Sequence, residues 1–244
     1  MADHTVETSP QIYARIGGLL YLYIIVAGTL GQLFVRDKLI VSGDAEATAN
    51  NIIASQLLWR TSIAAELIML VCSVPLALIF YLLFRPVSKN LAMLAVFFNL
   101  VELAIDAANK LNLFAALFLL GGAGYLKALE PRQLRALAYL PLKLHDYGFA
   151  ISLVFFAFVC LILGYLLFRS GYFPKTLGVL MTIAGLSYLT NSFTLLLAPT
   201  YSAMILPILV LAFIGEMSFC LWLIVKGVNV SKWKHQASAG RARG

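Results

Sequence analysis

The chain has 244 residues, 61% of them apolar and only 12% charged, with a formal net charge of +7. A soluble domain is about half apolar and about a quarter charged, so this composition excludes an ordinary soluble domain and points to an all-α, polytopic membrane protein with the lipid bilayer as its partner. The basic residues sit at expected helix ends and in the C-terminal tail, a topology signal and not a nucleic-acid footprint.

Stretches of about 20 mostly apolar residues, the length that crosses a bilayer, occur six times. Residues 1–14 read as a polar N-terminal tail. It lacks the basic start of a signal peptide, so the first span, from Ile16 to Val35 between Arg15 and Arg36, is expected to stay in the membrane. Asp44 to Arg60 reads as a short interfacial helix with Trp59 at headgroup depth. The second span, Ser62 to Phe84, carries Glu66 near its start and Pro75 as a kink. A basic turn leads to the third span, Asn90 to Leu120, which Gly121 and Gly122 end. Residues 125–143 read as a polar connection, with Leu134, Leu137, Ala138 and Leu142 suited to a separate surface helix. The fourth span is Leu144 to Phe168. The fifth is Thr176 to Ala198, with Asn191, Ser192 and Thr194 expected to bond neighbouring helices. The sixth is Met204 to Val225. One six-helix transmembrane domain therefore covers 15–228, and 229–244 reads as a basic disordered tail.

Six spans put both termini on one side. That side carries ten Lys and Arg against seven on the other, and the cation excess marks it as cytoplasmic. The segment Tyr81-Leu-Leu-Phe-Arg85 recurs as Tyr165-Leu-Leu-Phe-Arg169. The echo fits either a parallel duplication of the kind that builds transporters or the residue preferences of a membrane boundary.

The third span is the most informative. Relative to Glu102, at about 100° per residue, Asn109 lies at about −20°, Asp106 at about 40°, Asn99 at about 60° and Lys110 at about 80°. All five share one stripe, and Asp106 and Lys110 have the spacing of an intrahelical pair. Charged groups at that depth face a bundle interior or a wet cavity and mark a functional site by default. The competing reading is that they only fix helix packing. Glu66 and Glu216 add two more intramembrane carboxyls. Four acids against Lys110 leave a formal charge of −3, so at least one carboxyl is expected either to stay neutral or to find a further cation. His145 and Asp146 open the fourth span. A His beside an Asp suits proton transfer or metal binding, or a plain interfacial cluster. His4 and His235 lie in the tails, so one chain offers no His cluster for a metal. Cys72, Cys160 and Cys220 lie in separate spans with no C-x-x-C, which speaks against thiol-redox chemistry. With no phosphate loop, G-x-S-x-G or H-E-x-x-H, no cofactor, metal or catalytic residue is assigned.

Several motifs resemble a bacterial family of integral membrane proteins of unknown function, number 4386 in the domain-of-unknown-function series. They are Arg15-Ile-Gly-Gly-Leu-Leu-Tyr21, Leu33-Phe-Val-Arg36 with Gly43-Asp-Ala45, Arg85-Pro-Val87 with Asn90-Leu-Ala92, Leu144-His-Asp-Tyr-Gly148, Gly164-Tyr165 with Phe168-Arg-Ser-Gly-Tyr172, and Phe213-Ile-Gly-Glu216 through Lys226-Gly-Val-Asn229. The resemblance implies a polytopic protein of the bacterial cytoplasmic membrane and brings no activity with it. The leading functional expectation is a small transporter or membrane ligand-binding protein. Its polar, acidic cavity would take a small polar ligand, proton or cation, with Glu66, Asn99, Glu102, Asp106, Asn109, Lys110, His145, Asp146 and Glu216 as candidate binding residues. A membrane enzyme acting on a lipid-borne substrate near His145, and a non-catalytic partner or sensor, are the alternatives. A homo-oligomer is compatible with each.

Overall fold

The computed structural model describes residues 9–241. His4 and the outer parts of both tails lie outside them. Every regular element in this range is helical, and six helices are long and apolar enough to cross a membrane. The first begins as α1 (Pro10–Leu30), started by Ser9, whose hydroxyl accepts from the Gln11 amide, and by Pro10, whose fixed φ suits the first helical position. It continues through a π turn at Gly31–Arg36 to Leu39. Next come α2 (Ala45–Ala54), α3 (Gln56–Phe84), α4 (Lys89–Leu120), α5 (Pro131–Ser170) and α6 (Lys175–Leu197). The sixth crossing is broken. Short 3-10 and α turns from Pro199 to Ile208 precede α7 (Leu209–Val225), where Pro207 interrupts the backbone ladder expected from Met204 onward.

The crossings close into a ring. Going round it, α1 packs on α3, α3 on α4, α4 on α5, α5 on α6, α6 on α7, and α7 back on α1. Small residues set the tightest contacts, as they do where helices pack without a hydrophobic driving force. A Cβ at Gly178 would sit 2.7 Å from the Gly164 carbonyl oxygen, and one at Gly215 would sit 2.6 Å from the Leu180 carbonyl oxygen. Two apolar cores occupy opposite ends of the ring. The larger, around Tyr21, Phe84, Leu166, Met181 and Phe219, lies at the end carrying the termini. The smaller, around Val35, Ile52, Trp59, Ile63, Leu113 and Leu142, lies at the other.

Three local expectations are corrected. Trp59 does not face the membrane surface: it is 1% exposed, and its indole N–H donates to the Leu113 carbonyl at 3.3 Å. The surface helix and fourth span are one 40-residue helix that runs through Pro141. Its first turns are held by α2. Tyr139 accepts from the Gly43 amide at 2.9 Å, Arg135 pairs with Glu46 at 2.9 Å, and Ala138 and Leu142 are buried. That packing offsets the one backbone bond the proline removes. The segment read as a disordered tail forms α8 (Val230–Arg241). The Trp233 indole N–H donates to the Leu83 carbonyl at 3.0 Å, and the Tyr172 hydroxyl donates to the same oxygen at 2.7 Å. Leu83 is in the last turn of α3, where carbonyls lack helical partners, so both donors fill a need the helix end creates. Gln11 ties the two chain ends together, donating to the Lys226 carbonyl at 3.0 Å and accepting from the Val228 amide at 2.9 Å.

The α5–α6 contact gives the first prediction. Gly178→Ala should lower the melting temperature of the protein in detergent, with a cost of about 1–3 kcal/mol from overpacking, because the added methyl meets backbone on α5 that has no rotamer to change. Gly124→Ala, with nothing within 4 Å of the added Cβ, should leave the melting temperature unchanged. Equal effects of the two would contradict this account of the contact.

Candidate functional site

The π turn is where the site begins. Widening the helix by one residue in a turn marks functional segments in many helices. Here it ends at Arg36, which is only 9% exposed although it was expected to sit at a span boundary. Arg36 pairs with Glu66 on α3. The other Glu66 oxygen lies 2.7 Å from Lys110 Nζ on α4, and Lys110 also lies 3.1 Å from Asp106 Oδ1. The expected Asp106–Lys110 pair is therefore half of a four-membered network joining three helices. Gly31 makes room for it: a Cβ there would sit 2.6 Å from Glu66 Oε1. Gln32 braces the guanidinium, accepting from Arg36 Nε at 2.8 Å and donating to Asp37 Oδ1 at 2.6 Å.

Two cations and two carboxylates make this network neutral. Arg36, which the sequence reading places at the span boundary, brings the expected formal charge from −3 to −2. Two acids remain. Glu216 on α7 is 7% exposed and accepts hydrogen bonds from the Tyr21 hydroxyl on α1, at 2.9 Å, and from the Tyr188 hydroxyl on α6, one phenol to each oxygen. Glu102 on α4 accepts from Asn99 Nδ2 at 3.3 Å. Neither lies within 4.0 Å of a cation among the described residues.

These groups line one cavity of about 650 Å³ at the centre of the ring. It reaches exposed Gln32, Asp37 and Asp146 at the end opposite the termini, and stops at fully buried Phe84 and Leu166 at the other. Of the residues proposed from the sequence, Glu66, Asn99, Glu102, Asp106, Lys110, Asp146 and Glu216 face it. Glu102 and Glu216 therefore point inward, away from lipid. Asn109 and His145 are not part of its wall. Asn109 Nδ2 donates to the His145 carbonyl at 3.0 Å, a bond between α4 and α5. His145 is buried with its Nε2 unpartnered, while Asp146, one residue on, is exposed and 3.6 Å from Lys143. The two neighbours point different ways and form no joint site. No group of three metal-ligating side chains occurs among the described residues. Asn191 lines the cavity, but Thr194 bonds back to its own helix at Thr190, 2.7 Å away, and Ser192 Oγ has no partner among the described residues, so these three do not bridge helices as expected.

Arg36, Tyr21 and Tyr188 were not singled out from the sequence. The surplus of intramembrane acid was the signal that pointed to Arg36, since a buried carboxylate calls for a cation and Arg36 stood next to the span. Nothing in spacing distinguished Tyr21 or Tyr188 from tyrosines that simply fill space.

The family described as "Domain of unknown function (DUF4386)" matches residues 16–227, and the chain belongs to it. An "Uncharacterized protein" of Archaeoglobus fulgidus is 29% identical over 173 residues, covering 70% of this chain and 86% of that one. No solved structure matches.

Breaking a buried ion pair on one side is costly, about 3–5 kcal/mol, because a charge is left without its partner, whereas replacing both partners by apolar groups is often tolerated. Glu66→Gln, which leaves Arg36 with no carboxylate among the described residues and Lys110 with Asp106 alone, should therefore destabilise the protein strongly. Adding Arg36→Met to Glu66→Leu should recover most of that loss, since the Asp106–Lys110 pair survives. Denaturation in mixed micelles measures both, and a double variant no more stable than Glu66→Gln would show that the network is not held together by charge balance.

Proposed function

We propose that this member of a family of unknown function is a membrane ligand-binding protein, of the kind that serves as a small transporter, and that its ligand occupies the central cavity. The observation that carries this reading is the central cavity itself. Ligand sites run from about 300 to 1,000 Å³ and combine mostly apolar walls with a few convergent polar groups. The cavity here, about 650 Å³ with Glu102 and Glu216 in its wall, has that character. A bundle whose buried polar groups served packing alone would have no reason to keep such a space open. His145 stands outside the wall, so an enzyme built on His145 and a carboxyl finds little support.

By the excess-cation rule, the end bearing Arg85, Lys89, Arg169 and Lys175 faces the cytoplasm, with the cavity mouth on the outer side. One mouth is one of the two access states an alternating transporter needs.

A thermal-shift screen of organic cations, neutral polar compounds and metal ions on the purified protein tests the reading. Compounds that bind in the cavity should raise the melting temperature of the wild type and not of Ala77→Trp or Ala95→Trp, which fill the space from α3 and α4. Finding no stabilising compound, or full stabilisation in both filled variants, overturns it.

A further inference from the structure

The cavity wall selects among ligand classes. The Arg36–Glu66–Lys110–Asp106 network is neutral, so what it shows a ligand has no net charge. Glu102 and Glu216 remain, two carboxyls with hydrogen-bond donors but no cation. Aromatic rings surround Glu216. Tyr21 meets Phe80 edge-on at 5.8 Å between centroids, and Phe156 lies 5.5 Å from Tyr188. All four rings, with Phe84, line the space. Ring faces carry the negative part of the aromatic quadrupole and attract cations. Leucine, isoleucine, valine and methionine side chains make up much of the remaining wall.

This combination rules against other classes. A hard metal ion takes about six oxygen ligands, and no three metal-ligating side chains cluster among the described residues. An anion would meet two carboxyls and no unpaired cation among the described residues. A neutral ligand would use the charge of neither carboxyl and would need both to be protonated, since a buried carboxylate without a cation is costly. Resting on the ligand-binding reading above, we infer that the cavity takes an amphipathic organic monocation, a protonated amine or a quaternary onium ion with aromatic or alkyl groups. Its charge lies at Glu102 and Glu216 and its apolar body against the aromatic floor. The tyrosine hydroxyls hold the Glu216 carboxylate in place and act as positioning residues.

The full-length protein in a neutral maltoside detergent, with tetraphenylphosphonium as the probe, tests this by equilibrium binding. Tetraphenylborate, of nearly the same shape and opposite charge, is the control and needs no variant. The two ions are measured separately, since they precipitate each other, and the expected result is saturable binding of phosphonium and none of borate. Glu102→Gln and Glu216→Gln should each weaken it by about 30-fold or more, as loss of a desolvated charge partner does. Tyr188→Phe, which keeps the carboxylate, should weaken it less. Borate, measured alone, binding as tightly as phosphonium, or unchanged phosphonium binding in a folded Glu102→Gln/Glu216→Gln double variant, overturns the inference. So does stabilisation by neutral compounds alone, lost in Ala77→Trp, but that outcome leaves the ligand-binding reading intact. If no compound of any class binds, both fall.

Discussion

The arrangement depends on the pairing of Arg36, Glu66, Lys110 and Asp106 inside an apolar ring. A lone charge at this depth is costly, so each member needs the others, and their helices must meet where the side chains can reach. The end of the first crossing, α3 and α4 are thereby fixed to one another. Local oddities follow from the same need. The π turn ends at Arg36, and Gly31 has no side chain because the Glu66 carboxylate occupies that position. The network lies between the two apolar cores, lines the cavity on its mouth side and closes off the smaller core around Trp59.

The opposite wall follows a different logic. Glu216 is held by two phenols from α1 and α6, so three helices converge on one carboxyl with no cation within 4.0 Å among the described residues. Phenol donors hold a carboxyl in position yet leave its charge uncompensated, whereas Arg36 and Lys110 cancel theirs. The same ring thus contains one acid site that is internally balanced and another that is not, and only the second has anything to offer a ligand by charge.

Much of the architecture was legible in the sequence because span length and apolar content are properties of contiguous residues. Six crossings and their order can be read this way, and so can the third helix, whose Asn99, Asp106 and Lys110 all turn inward as their angular spacing implies. What could not be read depends on partners distant in sequence. Trp59 has the composition of an interfacial residue, yet the Leu113 carbonyl and the packing of Ile52, Ile63 and Leu142 around it make it a core residue. Pro141 ordinarily ends a helix, but contacts between α2 and the first turns of α5 keep the helix going. Val230–Arg241 has a polar, basic composition that reads as tail, and Trp233 finds the Leu83 carbonyl at the end of α3, shared with Tyr172, that no local pattern reveals. His145 and Asp146 show the reverse case. Adjacency in sequence suggested a joint site, and about 100° of helical rotation places one inside and the other at the surface.

The candidate site was legible in part for the same reason. The acids stood out because ionisable residues are rare in spans. The cation and the phenols that decide what each acid does did not, since arginine beside a span and tyrosine within one are ordinary. Counting charge on Glu66, Glu102, Asp106, Glu216 and Lys110 alone gives an acidic interior in which only Asp106 has a cation. With Arg36 included, Glu66 and Asp106 drop out as a neutral structural unit and Glu102 and Glu216 remain. One arginine, turned inward by a π turn, therefore separates the residues that hold the bundle together from those free to act on something else.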